Sequence, residues 1–178
     1  MTINSDENRL KTVIPYDELL DRVKVLATDI SRDFKGKQLV LVATLKGSFI
    51  FVADLIRELK IPAHVDFVSV SSYIGTTPQE KVSLHYGPLH DVKGKHVVVV
   101  EDIIDTGETI KVAVDALRKK GALEVKVCSL IKRKHSTDDV LTPEYIGFKV
   151  DSGFVVGYGL DYNENYRNLK GIFELPEN

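Results

Sequence analysis

The sequence predicts an α/β domain built on a mainly parallel central sheet flanked by helices. Three observations carry this reading. Short, nearly continuous apolar runs recur, such as "LVLVATL" at Leu39–Leu45, "HVVVVED" at His96–Asp102 and "EVKVCSLIKR" at Glu124–Arg133; runs of that kind suit strands covered on both faces. Between them lie segments whose apolar residues recur at helical spacing. Strands and helices alternate along the chain, which is the order of a parallel sheet with crossover helices.

Each element has its own signal. Pro15 opens a helix in which Leu19, Leu20, Val23, Leu26, Ala27 and Ile30 share one face as far as about Phe34. Gly36-Lys37 turns the chain into the Leu39–Leu45 strand. Gly47 and Ser48 open a second helix, "SFIFVADLIREL", and Pro62 ends that region. "AHVDFVSVSSY", from Ala63 to Tyr73, alternates and is rich in valine, as a strand should be. "IGTTPQEKVSLHYGP", from Ile74 to Pro88, is a long polar excursion with a short hairpin expected around Lys81 to His85; loops of this length in a domain are usually functional. "VKGK" turns into the valine strand, a helix follows from about Thr109 to Lys120, and Gly121 stops it. "EYIGFKV" and "GFVVGYGLD" are shorter strand-like pieces near the end.

With 178 residues, the chain is expected to form one domain, 1–178, with a hydrophobic core of its own. The net charge of −2 argues against a nucleic-acid partner held by bulk positive charge. The start, "MTINSDENRLK", has no apolar leader, and no run approaches the roughly 20 residues that span a bilayer. A cytoplasmic protein without a membrane partner is the expectation. Cys128 stands alone and falls within a strand, so it reads as a buried structural thiol. The five histidines lack ligand spacing.

The segment that carries chemistry is "VVVVEDIIDTGET", Val97–Thr109. Its most apolar stretch runs into Glu101, Asp102 and Asp105. An ionised carboxylate does not leave water without a partner. In parallel sheets ligands bind beyond the carboxyl ends of the strands, where these acids would stand. "DTGET" joins a strand to a helix whose first N–H groups are unpaired and whose dipole is positive there. Gly107 admits close approach, and Thr106 and Thr109 add hydroxyls, so the turn reads as a phosphate cradle. It is not a Walker loop. A phosphate site beside two carboxylates suits a ribose phosphate, whose hydroxyls the acids accept. The alternative is a strand-end cluster paired with surface lysines, with Asp105 merely capping the helix.

"VVVVEDIIDTGET" resembles the phosphoribosyl pyrophosphate motif of the type I phosphoribosyltransferases, in the version found in hypoxanthine-guanine phosphoribosyltransferases. Three further segments resemble that subfamily: "LKGS" at Leu45–Ser48, "SLIKR" at Ser129–Arg133 and "FVVGYGLDYNENYRNL" at Phe154–Leu169. The resemblance runs from about Pro15 to Phe173. It implies the type I phosphoribosyltransferase fold, with a small hood from the N- and C-terminal segments and a mobile active-site loop at about 73–88. It also implies the reaction: Mg²⁺-dependent transfer of ribose 5-phosphate from phosphoribosyl pyrophosphate to hypoxanthine or guanine, in purine salvage.

The resemblance also implies roles. Glu101 and Asp102 match the pair that holds the ribose hydroxyls with Mg²⁺ nearby. Asp105 matches the general acid/base near purine N7, or acts there by positioning. Thr106, Gly107, Glu108 and Thr109 match the 5-phosphate cradle, with the Glu108 side chain expected to face solvent. Leu45, Lys46 and Gly47 match the pyrophosphate loop, in which the first peptide bond can be cis. Ser72 and Tyr73 match a pair that folds onto the pyrophosphate, and Arg167 a further pyrophosphate contact. In the purine site, Lys132 matches the reader of the 6-oxo group, Phe154 the stacking aromatic and Val155 a backbone contact to the base edge. Asp161, beside that site, matches a carboxylate that helps bind a second Mg²⁺. Self-association as a dimer or tetramer is implied as well. Two other readings stand beside this one: a relative that binds RNA or DNA and uses the site as a sensor, and an enzyme acting on xanthine or adenine. The slight acidity disfavours the first, and Lys132 disfavours adenine.

Overall fold

The structure, a computed structural model, describes residues 10–72, 82–86, 91–133, 140–151 and 153–176. The chain order is β1 (Lys11–Ile14), α1 (Tyr16–Asp33), β2 (Leu39–Leu45), α2 (Phe49–Glu58), β3 (Ala63–Ser72), β4 (Val82–Tyr86), β5 (His96–Ile104), α3 (Glu108–Lys119), β6 (Glu124–Arg133), β7 (Tyr145–Val150), β8 (Phe154–Val156) and β9 (Ile172–Leu175). The main sheet has the order β4-β3-β2-β5-β6-β7. Five of its strands are parallel; where a short hairpin was expected around Lys81 to His85 there is a single strand, β4, which pairs antiparallel with β3. The α/β reading with a mainly parallel sheet is therefore borne out.

Strand alternation divides the apolar runs between two cores. Leu39, Leu41 and Ala43 of β2, with Val98 and Val100 of β5, join the cluster that contains Leu19, Val23, Leu26 and Ile30 of α1 and Phe51 and Leu55 of α2. Val40 and Val42, with Val97 and Val99, face Ile110, Val114 and Leu117 of α3. All four valines are fully buried, each worth roughly 1.5–3 kcal/mol. That two-sided burial is why the runs lack polar alternation. Cys128 lies fully buried in β6, and its thiol is pushed well above the usual range by desolvation.

The sheet edge at β7 is covered by a helix side chain. Arg22 of α1 donates through Nε to the carbonyl of Gly147 at 2.9 Å and through Nη2 to that of Ile146 at 2.6 Å. This satisfies carbonyls that would otherwise invite another strand.

A second sheet, antiparallel with the order β1-β9-β8, joins the two ends of the chain. The sequence reading names no strand at Lys11–Ile14 or Ile172–Leu175, because runs of four residues are too short to carry a period. "GFVVGYGLD" contains a shorter strand than expected. Beyond Val156 the backbone turns through Gly157, Tyr158 and Gly159, all at positive φ. No helix among the described residues is long and apolar enough to cross a membrane.

Candidate active site

The acids of β5 stand inside the strand rather than at its end. β5 continues to Ile104, with Glu101 in register with Ser129 and Ile104 with Lys132. Alternation starts the two side chains on opposite faces of the sheet, yet their carboxylates stay within reach of each other. Glu101 follows Val97 and Val99, and its Oε1 accepts the Thr44 hydroxyl at 2.8 Å. Asp102 follows Val98 and Val100 and lies against Gly47, where any added Cβ would overlap its carboxylate. Burial and the neighbouring Asp102 push the Glu101 carboxyl well above its ordinary value, and Thr44 opposes that shift; among the described residues Glu101 forms no ion pair.

After the strand, Asp105, Thr106 and Gly107 form the turn into α3. Gly107, not Asp105, occupies the N-cap position, at φ 88 and ψ 4. A side chain there would be strained by that backbone, and its Cβ would fall 2.8 Å from the Leu141 carbonyl. The Thr106 carbonyl accepts Val140 N–H at 3.0 Å, so the 140–141 segment backs the turn. Glu108 is exposed, as expected. Glu101, Asp105, Thr106, Gly107, Glu108 and Thr109 line one cavity of about 160 Å³. The N–H groups of the first α3 turn serve it, and the helix dipole favours an anion there.

Lys132, only 4% exposed, enters from β6 and donates to the Asp105 carbonyl. Its cation thus lies beside the turn. Phe154 is half exposed at the start of β8 and meets the Tyr162 ring edge-on, with centroids 5.4 Å apart. Val155 is buried beside it.

The Leu45-Lys46 peptide bond is cis. Leu45 is exposed. Lys46 pairs with Glu164 at 3.0 Å. Arg167 reaches the same Glu164 at 3.2 Å and Asp161 at 2.9 Å. The other Asp161 oxygen accepts Glu164 N–H at 2.8 Å. Arg167 Nε is buried without a hydrogen-bond partner among the described residues. Ser72 ends β3, paired with Val82. Tyr73 and the remainder of the expected mobile loop, apart from β4, lie outside the described residues.

Thr44, Glu164, Tyr158 and Tyr162 escaped the sequence reading. Thr44 left one usable signal, as the only polar residue in a buried strand. Tyr158 and Glu164 left none for their contacts with Asp54 and Lys46, which are distant in the chain.

The carboxylates suit a hard divalent cation. Among the described residues neither acid of this enclosed pair forms an ion pair, so the site is short of positive charge. Among the described residues no three acidic, histidine or cysteine side chains converge on a metal position. Mg²⁺ keeps waters and binds through one or two carboxylates plus substrate phosphates. Asp161 is engaged by Arg167 and by Glu164 N–H, although a carboxylate has about four acceptor positions and leaves room for more.

Residues 15–163 match the phosphoribosyl transferase domain family. The chain belongs to that family. It is 40% identical over 173 residues to the hypoxanthine-guanine phosphoribosyltransferase of Streptococcus pneumoniae (strain ATCC BAA-255 / R6), covering 96% of each chain. Among solved structures it resembles a hypoxanthine-guanine phosphoribosyltransferase from Bacillus anthracis, with a TM-score of 0.88 and 42% identity over 93% of this chain and 98% of that one. It also resembles a hypoxanthine phosphoribosyltransferase from Staphylococcus aureus, with a TM-score of 0.92 and 32% identity over 99% and 97%. These likenesses put the chain in the hypoxanthine-guanine branch of the family.

Proposed function

We propose that the chain salvages purines by transferring 5-phosphoribosyl from phosphoribosyl pyrophosphate to N9 of hypoxanthine or guanine. The C1′–N9 bond forms, the bond from C1′ to the pyrophosphate oxygen breaks, and pyrophosphate leaves with the electron pair. The base gives up one proton, and IMP or GMP results. The observation that carries this reading is the turn itself: the enclosed Glu101, the exposed Asp105, a left-handed glycine and a helix N-terminus share one cavity.

The 5-phosphate would lie on the Thr106–Thr109 amides and hydroxyls, with the ribose hydroxyls on Glu101 and Asp102. Those two carboxylates, and Asp161 on the pyrophosphate side, would hold Mg²⁺. When bound, Mg²⁺ supplies positive charge against the departing pyrophosphate. Lys46, Gly47, Arg167, Ser72 and Tyr73 would bind that leaving group. Phe154 would stack on the purine and Val155 would meet its edge. Lys132 carries only donors and so favours a 6-oxo group over the amine of adenine. Asp105, exposed at the mouth of the turn, would hold the N7 proton while N9 attacks. Self-association fits the exposed Leu45, Phe49 and Phe67 near the end of β2, the start of α2 and the adjacent β3. We place the activity in the cytoplasm, with neither nucleic acid nor membrane as partner.

The test is pyrophosphate release with Mg²⁺, phosphoribosyl pyrophosphate and each of hypoxanthine, guanine, xanthine and adenine. Release with the first two, abolished by a chelator, is expected; silence with all four would overturn the reading. Asp105→Asn should lower kcat by about 10²–10⁴-fold and leave phosphoribosyl pyrophosphate binding nearly intact. Equal losses in both would remove Asp105 from proton transfer.

A further inference from the structure

A buried polar pair joins α2 to the candidate site, and the reaction has no direct use for it. Tyr158 is 2% exposed, and its hydroxyl donates to Oδ2 of Asp54, itself 9% exposed on α2. The other Asp54 oxygen takes Arg57. A hydroxyl and a carboxylate enter a core only when they satisfy each other. The Tyr158 backbone is unusual as well, at φ 52. A bulky residue rarely adopts that region, and it persists where the surroundings over-determine it.

The conformation delivers Gly159 onto the pyrophosphate loop. An added Cβ at Gly159 would overlap the Gly47 carbonyl, and one at Gly47 would overlap the Asp102 carboxylate. Arg167 closes the same turn: its Nη1 donates to the Gly159 carbonyl at 2.8 Å, and Gly159 N–H donates to the Arg167 carbonyl at 3.0 Å. Contacts therefore run unbroken from Asp54 through Tyr158, Gly159 and Gly47 to Asp102. Their anchor is firm, because Phe51, Val52 and Leu55 of α2 sit in the core.

We propose that Asp54 and Tyr158 are positioning residues for the pyrophosphate subsite. Their hydrogen bond holds the 157–160 turn against Leu45–Gly47 and so sets Lys46, Gly47 and Arg167 relative to Asp102. The inference rests on reading that loop as the pyrophosphate site.

Steady-state kinetics with both substrates test it. Tyr158→Phe should raise the KM for phosphoribosyl pyrophosphate about tenfold, with kcat and the purine KM within about twofold of the native values. Asp54→Ala should do the same, and it carries the test should Tyr158→Phe not fold. Asp54→Asn keeps an oxygen acceptor for the hydroxyl and should return that KM to within about threefold of native. A lowered Tm with both KM values unmoved, or equal rises in both, would reduce the pair to a structural role and overturn the proposal. Lys46→Ala separates the two levels. If it raises the KM for phosphoribosyl pyrophosphate while Tyr158→Phe does not, only the positioning role fails. If it has no effect, the loop reading fails and the inference falls with it.

Discussion

The two ends of the parallel sheet treat their acids in opposite ways. At the carboxyl end, Glu101 has Asp102 for a neighbour and, among the described residues, forms no ion pair. At the amino end, Glu124 meets His96 at 3.0 Å, Lys37 at 3.6 Å and Lys126 at 3.6 Å. Asp33 there accepts the Tyr145 hydroxyl at 2.8 Å and lies 3.7 Å from Lys126. Lys37 and Lys126 also sit over the Phe34 ring, 5.0 and 5.2 Å from its centroid. The consequences diverge. Burial drives Glu101 upward. Burial would do the same to Glu124, but its hydrogen bond to His96, with Lys126 and Lys37, holds it below the usual range. The Tyr145 hydroxyl, then Arg32 and Lys126, hold Asp33 low against its own burial. Acids supplied with cations by the chain stabilise the fold; acids left without them wait for a ligand to supply the charge.

The comparison breaks most sharply at Glu101. Glu101→Gln should cut turnover by at least about 100-fold, since the proposed cation site loses a charge. The same change removes an enclosed carboxylate, so the free protein should melt higher, by about 2–4 °C. Kinetics and a melting curve on one preparation check both, and an unchanged or lower Tm would mean the pair is not under electrostatic tension. Tyr145→Phe is the mirror case. It takes the hydroxyl from Asp33 at the far end, so Tm should fall by about 2–4 °C with kcat and both KM values unmoved.

Acid should separate the ends as well. Asp33 and Glu124 titrate below their ordinary values in the fold, so their stabilisation is present above the ordinary carboxylate range. It is lost as pH falls through the lowered values. Melting curves between pH 6 and about pH 3 should steepen below about pH 4 in the native chain and less so in Tyr145→Phe. The smallest effect concerns Glu164. It is exposed and paired with both Lys46 and Arg167, and such pairs contribute little. Glu164→Gln should lower the KM for phosphoribosyl pyrophosphate by no more than about threefold, because Lys46 is released for the ligand while Arg167 keeps Asp161.

How much of this could be read from the chain follows from where the partners lie. The turn from Glu101 to Thr109 was legible because its carboxylates, glycine and helix start are consecutive. The parallel strands were legible because burial on both faces leaves an unbroken apolar run. What stayed hidden depends on contact between distant residues: Thr44 with Glu101 at a separation of 57, Asp54 with Tyr158 at 104, Lys46 with Glu164 at 118. Asp54 reads as an ordinary polar residue of a helix, and Tyr158 as one more aromatic in a strand-like piece. The end of β5 was misjudged by two residues, because Glu101 and Asp102 look like a strand terminus. Parallel pairing carries the strand on to Ile104, opposite Lys132.

The lone thiol of Cys128 turns the sheet into its own reporter. It lies in β6, paired on one side with β5 and on the other with β7. A thiolate is the reactive form, and this thiol is both desolvated and shut in. An alkylating reagent can therefore reach it only when the core that the sheet shares with α1 and α2 opens. The rate of labelling counts those openings, so a ligand that closes the site and stiffens β5 would register as slower modification of an atom it never touches.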